Sequence, residues 1–329
     1  MKILITGSSG FIGSFIVEEA LRRGFETWAA VRSNSSRRYL QDERIHFIEL
    51  NLDSEEQLIS ALGKEQFDLV VHAAGVTKCT RKKDFYRVNT EGTKNLVKAL
   101  VATQLRLKKF VYLSSLSVFG AIREQRPYTA INNDDCPQPN THYGRSKLLA
   151  EQYIEQQQLP YIILRPTGVY GPREKDYFLM AQSIKQHSDF AVGFTPQVIT
   201  FVYVKDVVQA VFLSCQSPLN NKKYFLSDGQ TYQSETFSQL IKKELGDPWV
   251  LRIVCPIWLL RIITGIGDCY GRMTGKISAL NNDKFHILRQ RNWKCDIQPA
   301  IEELGYQPHY LLEQGVEETI SWYKANKWL

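Results

Sequence analysis

The chain begins with an apolar run that leads directly into three closely spaced glycines. Residues 3–6 have the pattern of a β-strand, and Gly7, Gly10 and Gly13 accompany the start of a helical pattern over residues 11–23. Glycines at this spacing allow a tight turn, a close approach of the backbone to a pyrophosphate, and close packing of helix on strand. The free N–H groups at the start of the helix favour the same anion. The segment therefore predicts a dinucleotide-binding turn.

Strand patterns alternate with helical patterns through the first half of the chain. Strands are predicted at residues 26–31, 45–50, 69–73, 109–113 and 161–165, and helices at residues 54–62, 85–103 and 141–158. This alternation indicates an α/β, Rossmann-type doubly wound parallel sheet with helices on both faces. We expect a nucleotide-binding domain over residues 1–170. Residues 171–329 are expected to form mainly a smaller C-terminal substrate-binding lobe, with segments near 195–216 returning to the first domain.

Composition narrows the possible partners. The 329 residues are 43% hydrophobic and 23% charged, which excludes wholesale disorder. A net charge of +7 suits an anionic ligand, but it is spread too thinly to indicate a nucleic-acid partner. The six cysteines form no CxxC pair and no Cys/His cluster with zinc spacing, so we expect no metal site and reduced thiols in the cytoplasm.

The longest apolar stretch covers residues 253–266. It is interrupted by Pro256 and Arg261 and is too short to span a bilayer, so we expect no integral membrane segment. Core packing is the first expectation for this stretch, and a substrate wall or a peripheral membrane contact are the alternatives. The N-terminus shows no apolar signal core or small-residue cleavage site.

Short motifs follow the glycines in a fixed order. They are His72-Ala73-Ala74-Gly75, Asn89 with Gly92-Thr93, residues 114–120 around Ser115, Tyr143 with Lys147, residues 165–172, and residues 201–206. With the GxxGxxG spacing, they resemble the extended branch of the short-chain dehydrogenase/reductase superfamily, the NAD-dependent epimerase/dehydratase family. The resemblance covers about residues 1–215, and the C-terminal part is similar to 3β-hydroxysteroid dehydrogenase-like and dihydroflavonol reductase-like members. It implies a homodimer formed by the helices at 85–103 and 141–158.

Tyr143 and Lys147 are four residues apart and share one face of a helix. Lowering a phenol pKa by about three units requires roughly 4 kcal/mol. One positive charge about 4 Å away supplies that much at an effective dielectric near 20. The pair is therefore sufficient for proton transfer with a substrate oxygen, to which Ser115 would donate a hydrogen bond. The resemblance also implies that Lys147 grips the nicotinamide ribose and that Asn89 supports a proton relay.

The resemblance assigns a larger set of residues to the cofactor. These are Gly7, Ser9, Gly10, Phe11, Ile12, Gly13, Arg32, Asn51, Leu52, His72, Ala73, Ala74, Gly75, Asn89, Tyr143, Lys147, Pro166 and Thr167. About twenty residues past the glycines, where enzymes that prefer NAD place an acid, this chain has Arg32. Its planar fork can grip a 2′-phosphate, which favours NADP, whereas a solvated surface arginine leaves NAD as the alternative. We interpret His72 as a core residue beside the cofactor.

Three positions bear on the substrate. Leu116-Ser117 stand where sugar dehydratases carry the Asp-Glu pair that performs elimination. Gly168 and Ile199 stand where nucleotide-sugar enzymes commonly carry an Asn and an Arg near the diphosphate, although Arg173 could compensate. We therefore expect an NADP-preferring oxidoreductase acting on a secondary alcohol or ketone of a largely apolar small molecule. A nucleotide-sugar epimerase with the same catalytic residues, and a non-catalytic dinucleotide-binding sensor or scaffold, are the alternatives.

Overall fold

The computed structural model describes residues 1–104, 106–274 and 281–329. The strands are β1 (Lys2–Thr6), β2 (Glu26–Val31), β3 (His46–Glu49), β4 (Leu69–His72), β5 (Lys109–Leu113), β6 (Tyr161–Pro166), β7 (Gly168–Tyr170), β8 (Ser188–Val192), β9 (Val198–Ile199), β10 (Phe201–Tyr203), β11 (Lys222–Leu226), β12 (Tyr232–Gln233) and β13 (Leu251–Cys255). The helices are α1 (Phe11–Arg22), α2 (Glu55–Leu62), α3 (Lys82–Phe85), α4 (Gly92–Ala102), α5 (His142–Glu155), α6 (Asp176–Lys185), α7 (Val204–Gln216), α8 (Thr236–Glu244), α9 (Ile257–Thr274), α10 (Asn282–Arg289), α11 (Gln298–Leu304) and α12 (Leu312–Ala325).

A parallel sheet of seven strands organises the described part of the chain. Its strand order is β11-β6-β5-β4-β1-β2-β3, and every neighbouring pair is parallel. All residues of β4, β5 and β6 are buried, as expected where helices cover both faces. The Rossmann-type α/β prediction is confirmed. The chain direction across the sheet switches between β1 and β4, and at such a switch point ligands bind beyond the carboxyl ends of the strands.

The helix predicted at residues 85–103 has a different form. It starts earlier, as α3, then widens into a π-helical turn at Tyr86–Glu91 and continues as α4. Asn89 lies in the π-helical turn, where its Nδ2 donates to the Val76 carbonyl at 3.0 Å and to Ser146 Oγ at 2.9 Å. These partners lie outside the helix, and their hydrogen bonds stabilise the extra residue of the π-helical turn. Helical periodicity in the sequence cannot indicate such a turn.

The second half of the chain contributes to the main sheet and also builds its own layers. α7 packs on α1, and β11 pairs with β6 at the edge of the main sheet. β7 pairs with β10, β9 with β12, and β8 with β13 in separate two-stranded sheets. An aromatic core holds these pieces together, with the Tyr177 and Phe237 rings stacked at 4.6 Å and Phe201 at 4.9 Å from Phe237.

The region after Trp249 has regular secondary structure. It forms β13 and then the 18-residue helix α9, separated by Pro256. The expectation that residues 253–266 pack in the core is correct for only part of them, because Leu260 and Thr264 are buried while Trp258 and Ile266 are largely exposed. No helix in the described ranges is both long and apolar enough to cross a membrane.

Candidate active site and cofactor cleft

A cavity of about 1250 Å³ opens at the carboxyl ends of the main-sheet strands and continues into the second half of the chain. Most of the residues expected to touch the cofactor or substrate line it: Gly7, Ser9, Gly10, Phe11, Ile12, Gly13, Arg32, Asn51, Leu52, Ala73, Ala74, Gly75, Ser115, Tyr143, Pro166 and Thr167. The side chains of His72, Asn89 and Lys147 lie behind this lining. The fold thus brings together residues separated by as much as 160 positions.

The glycine turn has room only for glycine at two of its three positions. Gly7 has φ = +69°, and a Cβ there would lie 2.6 Å from the Ala73 carbonyl carbon. A Cβ on Gly13 would overlap the Gly7 carbonyl. Gly10 precedes α1 without a side-chain cap, so the first N–H groups of the helix face the cavity without a side-chain partner. This cradle fits a dinucleotide pyrophosphate.

The far end of the cleft carries cationic side chains beyond β2 and β3. Arg32 follows β2, and within the described residues its guanidinium makes no hydrogen bond or ion pair. The backbone N–H of Arg32 donates to Ser35 Oγ at 2.9 Å, which closes a tight loop. Asp53, which also lines the cleft, is paired with Arg87. Arg32 is thus a cation that lines the cleft and has no partner among the described residues.

Ser115 and Tyr143 both line the cavity. Ser115 directly follows β5, and its Oγ accepts the Ser117 N–H at 3.1 Å at the start of a short 3₁₀ turn. Tyr143 lies in the first turn of α5, which Thr141 caps by accepting the Gly144 N–H at 2.9 Å. Burial raises the pKa of the Tyr143 phenol, and a hydrogen bond with Ser115 acts in the opposite direction.

Lys147 lies one helical turn after Tyr143 and is 4% exposed. Its Nζ donates to the Leu113 carbonyl at 2.7 Å and lies 4.7 Å from the centre of the Tyr112 ring. Burial lowers the pKa of Lys147 to about 8, although the nearby Glu151 opposes this shift. A Cβ at Gly75 would approach Lys147 Nζ to 3.2 Å, so the glycine leaves space for the ammonium group.

Asn89 and His72 support the site from behind. Asn89 accepts the Val76 N–H at 2.8 Å while donating to the Val76 carbonyl, so its side chain holds the loop after β4. His72 is fully buried between Thr6 Oγ1 at 2.6 Å and Thr93 Oγ1 at 2.9 Å. Burial lowers the pKa of His72 to about 3, so the ring is neutral and joins β1, β4 and α4.

Two contacts of α5 had no counterpart in the sequence reasoning. The Tyr143 N–H donates to Asp283 Oδ2 at 3.0 Å, so α10 caps the first turn of α5. Glu151, one turn after Lys147, forms a buried ion pair with Arg165 of β6 at 2.5 Å. The i, i+4 spacing from Lys147 could have placed Glu151 on the inner face. No local pattern links Asp283 to Tyr143 across 140 residues.

The substrate half of the cavity is lined mainly by apolar side chains. They include Tyr177, Met180, Phe190, Val192, Ile199, Phe201, Phe237, Leu260, Ile263, Ile287, Leu288 and Trp293. Among the described lining residues of this half, Lys284 is the only cation, and its Nζ lies 3.5 Å from Asp176 Oδ2. Asp176 is also paired with Lys78.

The positions that differ from nucleotide-sugar enzymes have structural consequences. A Cβ on Gly168 would lie 2.9 Å from the Tyr177 hydroxyl, so an asparagine fits there only if Tyr177 moves. Arg173, which could have replaced a missing cation, does not line the cavity. Its guanidinium is packed between the Phe15 and Tyr39 rings and donates to Glu18 at 2.6 Å. Arg173 therefore holds α1 and leaves the substrate half without an arginine among its described lining residues.

Comparison with known proteins identifies the family to which the chain belongs. The model of the NAD dependent epimerase/dehydratase family matches residues 3–226. The chain belongs to this family. Among its relatives is the decarboxylating sterol-4-alpha-carboxylate 3-dehydrogenase of Candida albicans, 25% identical over 350 residues that cover 98% of this chain and 97% of the relative. The UDP-glucose 4-epimerase of Vibrio cholerae is also 25% identical, over 97% of this chain and 94% of the relative.

A solved structure agrees over the whole fold. The dTDP-glucose 4,6-dehydratase of Bacillus anthracis, solved in complex with NAD, superposes with a TM-score of 0.78 at 20% identity and covers 99% of this chain and 97% of that chain. As a member of the NAD-dependent epimerase/dehydratase family, the protein is an enzyme of the extended short-chain dehydrogenase/reductase type that uses a nicotinamide dinucleotide. The family contains both dehydrogenases and epimerases, so membership alone leaves the substrate open.

Proposed function

We propose that the protein is an NADP-preferring oxidoreductase acting on a secondary alcohol or ketone of a largely apolar small molecule. The observation that carries the proposal is the substrate half of the cavity, where Lys284 is paired with Asp176 and apolar side chains form most of the surface. A diphosphate carries two negative charges, and leaving them unpaired in a closed site is very costly. Such a site favours an uncharged ligand body with one reactive oxygen.

The catalytic roles follow from the positions of three side chains. Tyr143 exchanges a proton with the substrate oxygen, since its phenol lines the cavity together with Ser115, which acts on the phenol's pKa. Ser115 donates a hydrogen bond to the same oxygen as charge develops on it. Lys147 holds its positive charge on the same helix face and favours the phenolate. The bound dinucleotide supplies the hydride acceptor or donor.

The relatives include proteins named for each of the two candidate activities. The sterol-4-alpha-carboxylate 3-dehydrogenase relative is named for a sterol carboxylate, and a sterol body fits the apolar lining. The UDP-glucose 4-epimerase relative is equally similar in sequence and keeps nucleotide-sugar epimerisation as the second candidate. An epimerase would use the same Ser115, Tyr143 and Lys147, but it would need partners for a diphosphate.

The experiment compares ligand classes on the full chain. Thermal shift and turnover are measured with NADPH and steroid, flavonoid or aryl ketones, and with UDP- and dTDP-sugars. We expect NADPH consumption with at least one apolar ketone and no stabilisation by sugar nucleotides at millimolar concentration. Micromolar binding of a UDP-sugar, or its epimerisation without net cofactor consumption, would establish the second candidate instead.

We also propose a homodimer in the cytoplasm. The helices α4 and α5 carry exposed Val101 and Leu149, which a second copy could cover. All six cysteines are unpaired, which suits a reducing compartment. The dimer is tested by measuring the mass in solution of the wild type and of the Val101→Asp variant.

A further inference from the structure

The exposed apolar side chains of the protein are concentrated in one region. Of seventeen exposed large apolar residues in the described ranges, twelve lie between residues 179 and 273. The core of this region is a stripe along α9, which we define as Trp258, Ile262, Ile266, Tyr270 and Met273. Successive members are separated by four, four, four and three residues, so they lie along one face of the helix. Each is between 51% and 82% exposed.

The opposite face of α9 is anchored to the protein. Leu260 and Thr264 are buried, and α10 packs along the helix. The helix is therefore held in place while the α9 stripe has no cover among the described residues. An exposed apolar surface of this size on an anchored helix is typical of an interaction site.

The α9 stripe is continuous with the mouth of the cavity. Leu260 and Ile263 of α9 line the cavity, and Ile263 is also 37% exposed, so it joins the two surfaces. Phe190 of β8 lines the cavity as well, is 61% exposed, and is the register partner of the exposed Ile253 of β13. An apolar molecule entering the cavity at this edge would pass along the stripe.

Basic residues border the stripe. The guanidinium carbons of Arg261 and Arg289 lie 5.9 and 6.0 Å from the centre of the Phe285 ring, and both arginines are exposed.

The charge of this region is positive. Residues 251–274 and 281–291 together contain six arginines and lysines against two aspartates. Arg252 is neutralised by Glu235 at 2.9 Å, but Arg261 and Arg289 have no acidic partner within the described residues. An apolar stripe with aromatic members and a basic border complements an anionic lipid surface.

We propose that α9 lies on the surface of an anionic phospholipid bilayer, with the α9 stripe at the acyl boundary and Arg261 and Arg289 at the phosphate level. The helix lies along the interface, as an amphipathic helix does, and does not span it. The cavity mouth then faces the membrane, from which an apolar substrate would enter. Binding of α9 to the bilayer does not depend on the proposed function.

The test uses the full chain and sedimentation with vesicles. We expect the protein to bind vesicles of phosphatidylcholine with phosphatidylglycerol, and to bind phosphatidylcholine alone more weakly. Ile262→Ser combined with Ile266→Ser should reduce partitioning at least ~10-fold, because the apolar contact is lost. The matched control, Ile301→Ser combined with Leu311→Ser, removes two exposed apolar residues elsewhere and should bind as the wild type does. Arg261→Gln combined with Arg289→Gln should remove the preference for anionic vesicles.

Three results would overturn the inference. The first is a wild-type protein that does not sediment with anionic vesicles. The second is equal partitioning of the stripe variant and its control. The third is a stripe variant that becomes monomeric where the wild type is oligomeric, which would show that a second copy covers this face. An unchanged circular dichroism spectrum and thermal unfolding transition establish that each variant is folded, and vesicle binding is measured without cofactor or substrate, so the result is independent of the proposed function.

Discussion

Lys147 keeps its ammonium group in a site where little water remains and its partners are a carbonyl and a ring. It is 4% exposed, and burial lowers its pKa from 10.5 to about 8. The unfolded chain therefore binds more protons than the folded protein between those two pKa values. The positive charge that assists Tyr143 thus costs folding free energy, as is common for groups tuned for catalysis.

Replacing this charge should stabilise the cofactor-free protein. The shift from 10.5 to about 8 corresponds to about 3 kcal/mol at pH 7. The hydrogen bond to the Leu113 carbonyl contributes about 1 kcal/mol in the opposite direction. Lys147→Met should therefore increase the free energy of unfolding by about 2 kcal/mol at pH 7. Urea unfolding measures it.

The difference should shrink as pH rises from 8 and vanish near pH 10, because the unfolded chain then also loses the proton that the folded protein has already released. Lys147→Met should also lose turnover. A variant that is less stable than the wild type at pH 7 would contradict the burial argument, and Lys94→Met, at a more exposed lysine of α4, serves as the control.

Arg32 tests the cofactor preference at a single residue. Its guanidinium has no partner among the described residues and stands at the ribose end of the cleft. NADPH should bind at least tenfold more tightly than NADH, a gap of about 1.4 kcal/mol. Arg32→Ala should largely remove that gap by weakening NADPH alone. Fluorescence titrations measure both constants, and equal affinities of the wild type for the two cofactors would contradict the assignment.

Helix α5 connects the proposed catalytic residues to the rest of the fold. Its first turn is capped by Asp283 of α10, and its middle is joined to β6 by the buried pair of Glu151 and Arg165. Ser114, beside Ser115, also donates a hydrogen bond to Glu151. The position of Tyr143 and Lys147 therefore depends on contacts from β5, β6 and α10 at once.

Removing one member of the buried pair should be strongly destabilising. Glu151→Ala leaves the Arg165 charge buried without its partner, which should cost about 3–5 kcal/mol of unfolding free energy. Glu155→Ala, on the same helix, breaks a partly exposed pair with Lys223 and should cost at most about 1 kcal/mol. Chemical denaturation measures the free energy of unfolding of both variants. Equal losses in the two variants would show that the buried pair has no special role.

In the first half of the chain, the secondary structure could be predicted from the sequence because strands and helices follow one another in a repeating order. Strand and helix patterns alternate there, and β2 and β5 have the predicted bounds. The second half contains strands as short as β9 and β12, with two residues each, which are below the length at which a period can be recognised. The exposure of α9 was also beyond sequence reasoning, since an apolar stripe is the same pattern whether it packs inside or faces outward.

The residues of the candidate site also fall into two groups, those that the sequence indicates and those that it does not. The glycine turn, Ser115, Tyr143 and Lys147 follow from local motifs and lie around one cavity. The cap from Asp283 and the immobilised guanidinium of Arg173 depend on contacts across more than 130 residues. Tertiary packing alone decides such contacts, so no motif indicates them.

In the proposed mechanism, Tyr143 transfers the proton in a dinucleotide-dependent oxidoreduction. The most direct measurement is turnover of Tyr143→Phe with NADPH and the best ketone substrate, together with NADPH affinity in the same preparation. This mechanism predicts that Tyr143→Phe binds NADPH nearly as the wild type does and that its turnover is reduced at least ~10²-fold, since only the hydroxyl is removed. Near-normal turnover of Tyr143→Phe would contradict it.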